Sequence, residues 1–199
     1  MRTLMGHLAQ FASFSKQGEL LCTQSVTYLL KNNEAQRAFS SFLSVSLDTP
    51  ISESLFWRAE YVQSDGGRPD IEGCNVDGEP IVKIEGKLGA EFGVGQLESY
   101  RQELSKLNCQ GNLVVLIPKN RYAEATEYVV NNYSLKGNGP WRPHNVNLAI
   151  ISWENLFHCL ETVADQEFRE DLSQLHAMYR VLNGDDMEPL TTDEEDLTI

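Results

Sequence analysis

Apolar residues return at helical spacing from Gly18 onward, through Leu20, Leu21, Tyr28, Leu29 and Leu30, until Lys31-Asn32-Asn33 stops the pattern. A second helical pattern runs from Glu34 to about Leu47 and is closed by Asp48-Thr49-Pro50. Ser54 to Gln63 is dense in aromatic and branched residues and predicts a strand, ended by Asp65-Gly66-Gly67. Two more extended segments follow, with Ile71 on one side and Ile81, Val82 and Ile84 on the other. They are joined through Asp77-Gly78, a dipeptide suited to a two-residue hairpin loop because both positions take positive φ. Gly93 to about Leu107 reads as a helix, Leu113 to Ile117 as a buried strand ended by Pro118, and 122–132 as another helix. A strand from Leu148 to Ser152 then leads into helices near 153–162 and 166–182. Helix, helix, three strands, helix, strand, helix, strand, helices: this order predicts an α/β domain with a mixed central sheet flanked by helices.

The length of 199 residues and a 41% hydrophobic content suit one domain with an ordinary core. Residues 1–182 read as that domain and 183–199 as an acidic tail. Residues 185–196, DDMEPLTTDEED, hold seven acids and no base, so of the net charge of −13 the rest of the chain carries −6. Such a segment is a solvated tail or a docking segment for a protein partner. The overall acidity argues against indiscriminate adhesion to nucleic acid or anionic membranes. The four cysteines at 22, 74, 109 and 159 lack any C-x-x-C pair, which argues against zinc or iron–sulfur ligation and predicts core thiols. Neither a signal-type h-region nor a membrane span is present, so a reducing, cytoplasmic setting is expected.

The hairpin carries the candidate chemistry. A two-residue loop at Asp77-Gly78 sets Asp70 opposite Glu85 and Glu72 opposite Lys83. Strand alternation puts Lys83, Glu85 and Lys87 on one face, with Val82 and Ile84 on the other, and Asp70 joins the first face. Like charges facing each other on a sheet are destabilising. Two carboxylates there are suited to holding one hard divalent cation, and the adjacent ammonium suits phosphodiester cleavage. The bland alternative makes Glu85 and Lys87 solvated strand residues, with Asp70 capping a turn. In the helix that follows, Gln96 and Tyr100 are i, i+4 partners on one face.

Taken together, Pro69-Asp70, Glu85-Gly86-Lys87 and Gln96-x-x-x-Tyr100 resemble the PD-(D/E)XK nuclease superfamily, in particular its RecB-like branches with a Q-x-x-x-Y helix motif. The resemblance spans roughly residues 18 to 162. It implies a restriction-endonuclease-like αβββαβ core and a Mg²⁺-dependent deoxyribonuclease, with Mn²⁺ able to substitute, acting in bacterial defence or DNA repair. It further implies that Asp70, Glu85 and the Gly86 carbonyl bind the metal, joined by Glu19, which otherwise simply favours a helix N-terminus. Lys87 would orient or deprotonate the attacking water and offset phosphate charge, while Gln96 and Tyr100 would position the nucleophile or touch the nucleic acid backbone. An RNA-cleaving version and a catalytically inactive interaction module share this scaffold. A homodimer is compatible with cutting both strands of DNA.

Nucleic acid binding by an acidic chain needs clustered cations. The candidates are Arg58, Arg68, Lys87, Lys119, Arg121, Lys136 and Arg142. Trp141 either stacks on an unpaired base or packs under its own loop. His144, His158 and His176 lack metal-ligand spacing.

Overall fold

The computed structural model describes residues 17–59, 69–93 and 95–184. Two helices lead, α1 (Gln17–Leu29) and α2 (Asn33–Leu47), followed by strands β1 (Phe56–Ala59), β2 (Ile71–Cys74) and β3 (Pro80–Gly86). Then come α3 (Gln96–Leu104), β4 (Gly111–Ile117), α4 (Tyr122–Tyr133), β5 (Val146–Ser152), α5 (Trp153–Leu160) and α6 (Gln166–Asn183). The strands form one sheet in the order β1-β2-β3-β4-β5, antiparallel from β1 to β3 and parallel from β3 to β5. The expected mixed α/β architecture and its αβββαβ order are present.

Alternation along the strands sorts the side chains into two cores. Val82, Ile84, Val114, Leu116 and Ile151 pack with α1, α2, α5 and α6 on one face. Leu113, Val115, Ile117 and Ile150 pack with α3 and α4 on the other. Covered on both sides, β4 and β5 are buried at every position, which is why they read as continuous apolar runs. The helices stop and start where local chemistry dictates. The Asn32 side chain accepts from the N–H groups of Glu34 and Ala35 at 2.9 and 3.2 Å, and Asp48 closes α2 in the left-handed region at φ 50°. Asp165 caps α6 by accepting from the Phe168 N–H at 2.7 Å.

The hairpin reaches the expected register by an unexpected route. Ile71 pairs with Ile84, Glu72 with Lys83 and Gly73 with Val82, as the sequence predicts. The loop, however, has three residues, Val76-Asp77-Gly78: Gly78 sits at φ 78° and its N–H donates to the Asn75 carbonyl at 2.9 Å. The Asn75 side chain stabilises this turn by accepting from the Asp77 and Glu79 N–H groups at 3.0 and 2.9 Å. A three-residue loop alone would slip every pair by one position and send Glu85 to the wrong partner. A bulge between Gly73 and Cys74, where Cys74 pairs with Pro80, absorbs Ile81 as the extra residue and restores the register.

Other boundaries moved for identifiable reasons. β1 begins at Phe56, after a turn at Ser52–Ser54, and the remainder of that expected strand with its 65–67 turn lies outside the described residues. α3 starts only at Gln96 because Gly95 is left-handed at φ 75°. β4 and β5 begin earlier than their apolar runs because polar residues join the ladder. Asn112 donates to the Ile81 carbonyl at 3.2 Å, and Asn147 donates to Asn112 at 2.9 Å. Cys22 and Cys74 are buried and Cys159 is half-buried, but Cys109 is exposed in the α3–β4 connection, so it is not a core thiol. The acidic run 185–196 lies outside the described residues, and among those described no helix is long and apolar enough to cross a membrane.

The start of β4 offers a direct test of the packing between sheet and α3. A Cβ at Gly111 would lie 2.7 Å from the Leu104 Cβ and 2.9 Å from its backbone oxygen, neither of which can rotate away. Gly111→Ala is therefore expected to destabilise the fold by about 1–3 kcal/mol in urea unfolding. Gly89→Ala, which meets nothing within 4 Å, should stay within about 0.5 kcal/mol of the parent.

A candidate active site at the end of the central strands

The alternation of β3 turns Lys83 and Glu85 toward α3, and Lys87 follows just beyond the strand. Asp70 directly precedes β2, one step past the Ile71–Ile84 pair, so the ladder carries it to Glu85. Its Oδ2 accepts from the Gly86 N–H at 2.7 Å, which pins the carboxylate against the end of β3. Glu85 is 1% exposed and ion-paired through Oε1 to the Lys87 ammonium. The cluster anticipated from the hairpin register is thus assembled, with Glu85 buried and Asp70 half-buried instead of both being solvated.

Burial sets the electrostatics. It pushes the Glu85 carboxyl above the ordinary range, with Lys87 opposing. Asp70 is pushed up to about 7, first by burial and then by the Glu85 charge, against the pull of the Gly86 N–H and Lys87. Burial alone would lower the Lys87 ammonium, but the charges of Glu85, Asp70 and Glu19 outweigh it and raise its pKa. The Glu85 Oε2 is buried and has no hydrogen-bond partner among the described residues. Two crowded carboxylates and an orphaned oxygen describe a site short of positive charge. Gly86 keeps it compact: a Cβ there would come within 3.0 Å of Thr23 and 3.5 Å of the Asp70 Oδ2.

Helix α3 closes one side. Its buried residues Leu97, Tyr100 and Leu104 dock it on the sheet and bring the Tyr100 hydroxyl near the Glu85 carboxylate, whose charged form it favours. Gln96 donates to that hydroxyl at 3.1 Å, so it reaches the cluster through Tyr100. The Lys83 ammonium lies 5.3 Å from the Tyr100 ring centroid and is ion-paired to Glu103. Lys83 and its strand neighbour Glu72, which accepts from Arg58 at 2.8 Å, form a second buried charge chain beside the first. Sequence reasoning placed Lys83 on this face but gave it no role, although a K-x-E-x-K alternation entering a buried helix contact was its signal.

Glu19 arrives from α1, but one of its oxygens is already engaged. Its Oε1 accepts from the N–H groups of Leu88 and Ala90 at 2.7 and 3.2 Å. From the opposite side Arg121 donates to the carbonyls of the same two residues at 3.2 and 2.9 Å, and is itself held by Glu124. The segment after Lys87 is thereby clamped by both its donors and its acceptors. Arg121, expected as a free phosphate contact, is largely committed to this clamp, a role that no local pattern announces. The Trp153 indole donates to the Lys87 carbonyl at 3.4 Å and adds a further tether.

The other expectations separate cleanly. Arg58 is paired with Glu72, Arg142 donates to Asn147 at 2.8 Å, Lys119 and Lys136 are exposed, and Arg68 lies outside the described residues. Trp141 packs under its own loop at 7% exposure, its indole donating to the Lys136 carbonyl at 3.0 Å. His144 is exposed at φ 48°, His158 lies 3.6 Å from Glu161, and His176 stacks on Phe157 with ring centroids 4.7 Å apart.

The donor set fits a divalent cation. Among the described residues no three His, Cys, Asp or Glu side chains are grouped closely enough to hold an ion by themselves. Two carboxylates, a strand-end carbonyl and remaining positions for water or phosphate form the sparse protein contribution that Mg²⁺ accepts. The Glu85 oxygen without a partner is the atom such an ion would satisfy.

No curated protein and no solved structure matched the chain. The model of the PD-(D/E)XK nuclease superfamily matches residues 7–181, a stretch that contains every strand and the whole of the cluster just described. The chain belongs to the PD-(D/E)XK nuclease superfamily.

Proposed function

We propose that this protein is a Mg²⁺-dependent nuclease that hydrolyses DNA phosphodiester bonds at the Asp70, Glu85 and Lys87 cluster. One observation carries the reading: a buried carboxylate, Glu85, and a half-buried one, Asp70, meet at the end of β2 and β3 beside an ammonium, and a Glu85 oxygen has no partner among the described residues. Asp70, Glu85 and the Gly86 carbonyl would hold the ion, with the free side of Glu19 near enough to act through its charge. When bound, the cation supplies Lewis-acid polarisation of the phosphate and a more acidic water.

The remaining work falls to the chain's own groups. Lys87 presents up to three N–H donors, enough to keep its bond to Glu85 while orienting a water or neutralising charge that develops on phosphorus-bound oxygens. Tyr100, held between Gln96 and the Lys83 ammonium, forms the wall of the site beside the Glu85 carboxylate. The Glu19 and Arg121 clamp holds the backbone after Lys87 in place, so that the ammonium does not drift from the acids. Preorganisation of this kind lets a few charges stabilise a transition state without reorganising at the moment of reaction.

The deciding assay is cleavage of plasmid and linear DNA with Mg²⁺ or Mn²⁺ against EDTA. Asp70→Asn, Glu85→Gln and Lys87→Ala are each expected to reduce metal-dependent cleavage by about 100-fold or more, and undiminished activity in all three would overturn the assignment. Independently of turnover, calorimetric titration with Mn²⁺ should show affinity falling by roughly tenfold or more in Glu85→Gln. Arg121→Ala should lower kcat by about tenfold with a smaller change in KM, and Arg121→Lys, which cannot bridge both carbonyls as well, should recover only part of it. Hydrogen exchange at the Leu88 and Ala90 amides should quicken in step.

A further inference from the structure

β5 is an edge strand, and only part of its edge is closed. Trp141 forms an antiparallel bridge with Leu148, their N–H and C=O groups exchanging bonds at 2.9 and 2.8 Å. Strand alternation turns the N–H and C=O of Ile150 to the same side. There, with no sixth strand among the described residues, lies a cleft of about 500 Å³. Phe42, from the α2 side of the sheet, and Tyr122, from the α4 side, line it together with Lys119. The Asn138 and Asn155 carboxamides, which also line it, make no hydrogen bond among the described residues.

The position of the cleft relates it to the candidate active site. β3, β4 and β5 run parallel, so the ends that carry Lys87, Lys119 and Ser152 lie along one edge of the sheet. Three strand spacings, about 14 Å, separate the place of the cleft beyond β5 from the end of β3. A short 3-10 turn, Lys119–Arg121, joins the two places: Lys119 lines the cleft and Arg121 clamps the segment after Lys87. The Lys119 N–H is anchored to the Glu154 carboxylate at 3.0 Å, and Tyr179 donates to that same carboxylate at 2.8 Å.

We propose that this cleft is a subsite for one unpaired nucleotide of the substrate strand, further along the same end of the sheet from the scissile phosphate. The inference rests on the nuclease reading and extends it to substrate class: a strand with single-stranded character. Lys119 matches a backbone phosphate, the two rings offer faces to a base, and the amides with the Ile150 backbone offer donors and acceptors to its edge. An extended peptide is the competing occupant of an open strand edge. The open stretch is too short for it. Trp141 closes the edge at Leu148 and α5 begins at Trp153, leaving the Ile150 N–H and C=O and the Ser152 N–H between them, whereas one base edge needs no more.

The test measures binding by the full chain in EDTA, where no cleavage occurs. The probes are a labelled 12-nucleotide single strand and the corresponding blunt duplex. Tyr122→Ala is expected to weaken single-strand binding at least about 5-fold, with duplex binding moved less than 2-fold. The exposed Lys119→Ala should weaken it too and make it less salt-dependent. Titration with a 5′-phosphorylated thymidine dinucleotide should shift the backbone amide of Ile150 and the side-chain amide of Asn155 in heteronuclear spectra. Unchanged single-strand affinity in both folded variants, or dinucleotide shifts confined elsewhere, overturns the subsite; so does a response of these amides to extended peptides alone. If the parent protein cleaves DNA while both variants bind and cut normally, the subsite alone fails. If the parent neither cleaves nor binds, the nuclease reading fails with it.

Discussion

Two carboxylates brought together repel each other, the more so with Glu85 shut off from water and Asp70 half-buried, and the architecture around them is organised to hold them there all the same. Removing a charge from water costs several kcal/mol unless partners compensate. The Gly86 N–H serves Asp70 and the Lys87 ammonium serves Glu85, but these two partners leave one buried oxygen of Glu85 unanswered. The deficit is local and charged, and a divalent cation is its simplest remedy.

Holding the acids requires a rigid frame, and it comes from both layers. On the α3 side Tyr100 is fixed by Gln96, Lys83 and its own burial. On the α1 side Glu19 takes the N–H groups of Leu88 and Ala90 while Arg121 takes their carbonyls, so side chains replace a strand ladder where the sheet has ended. This satisfies backbone groups that would otherwise be stranded near a buried charge cluster. It also explains why an arginine close to the site is not free to greet a phosphate.

Charge distribution shapes what such a protein can hold. Arg58, Arg121 and Arg142 are committed to internal partners, and Lys83 is buried with Glu103. With few uncommitted cations among the described residues, tight binding to duplex backbone through bulk charge is not what this surface is built for.

Much of this was legible in the order of residues. The helical and strand patterns, the Asp-Gly turn, and the placement of Asp70 opposite Glu85 follow from periodicity and turn chemistry, because these are local properties. The site register nevertheless rested on a cancellation: the loop is one residue longer than Asp77-Gly78 suggests, and the bulge at Gly73 and Cys74 takes up Ile81 to compensate. A bulge depends on how β2 packs against its neighbours, which no hairpin pattern contains. Whether Glu85 and Lys87 lay in solvent or in a buried pair, whether Arg121 met phosphate or backbone, and whether Trp141 was exposed were decided only when distant segments came together. The sequence by itself determined the elements, their order and the face each charge would occupy, since those depend on spacings of two to four residues. Tertiary structure alone decided burial and partnership, because both depend on what arrives from elsewhere in the chain.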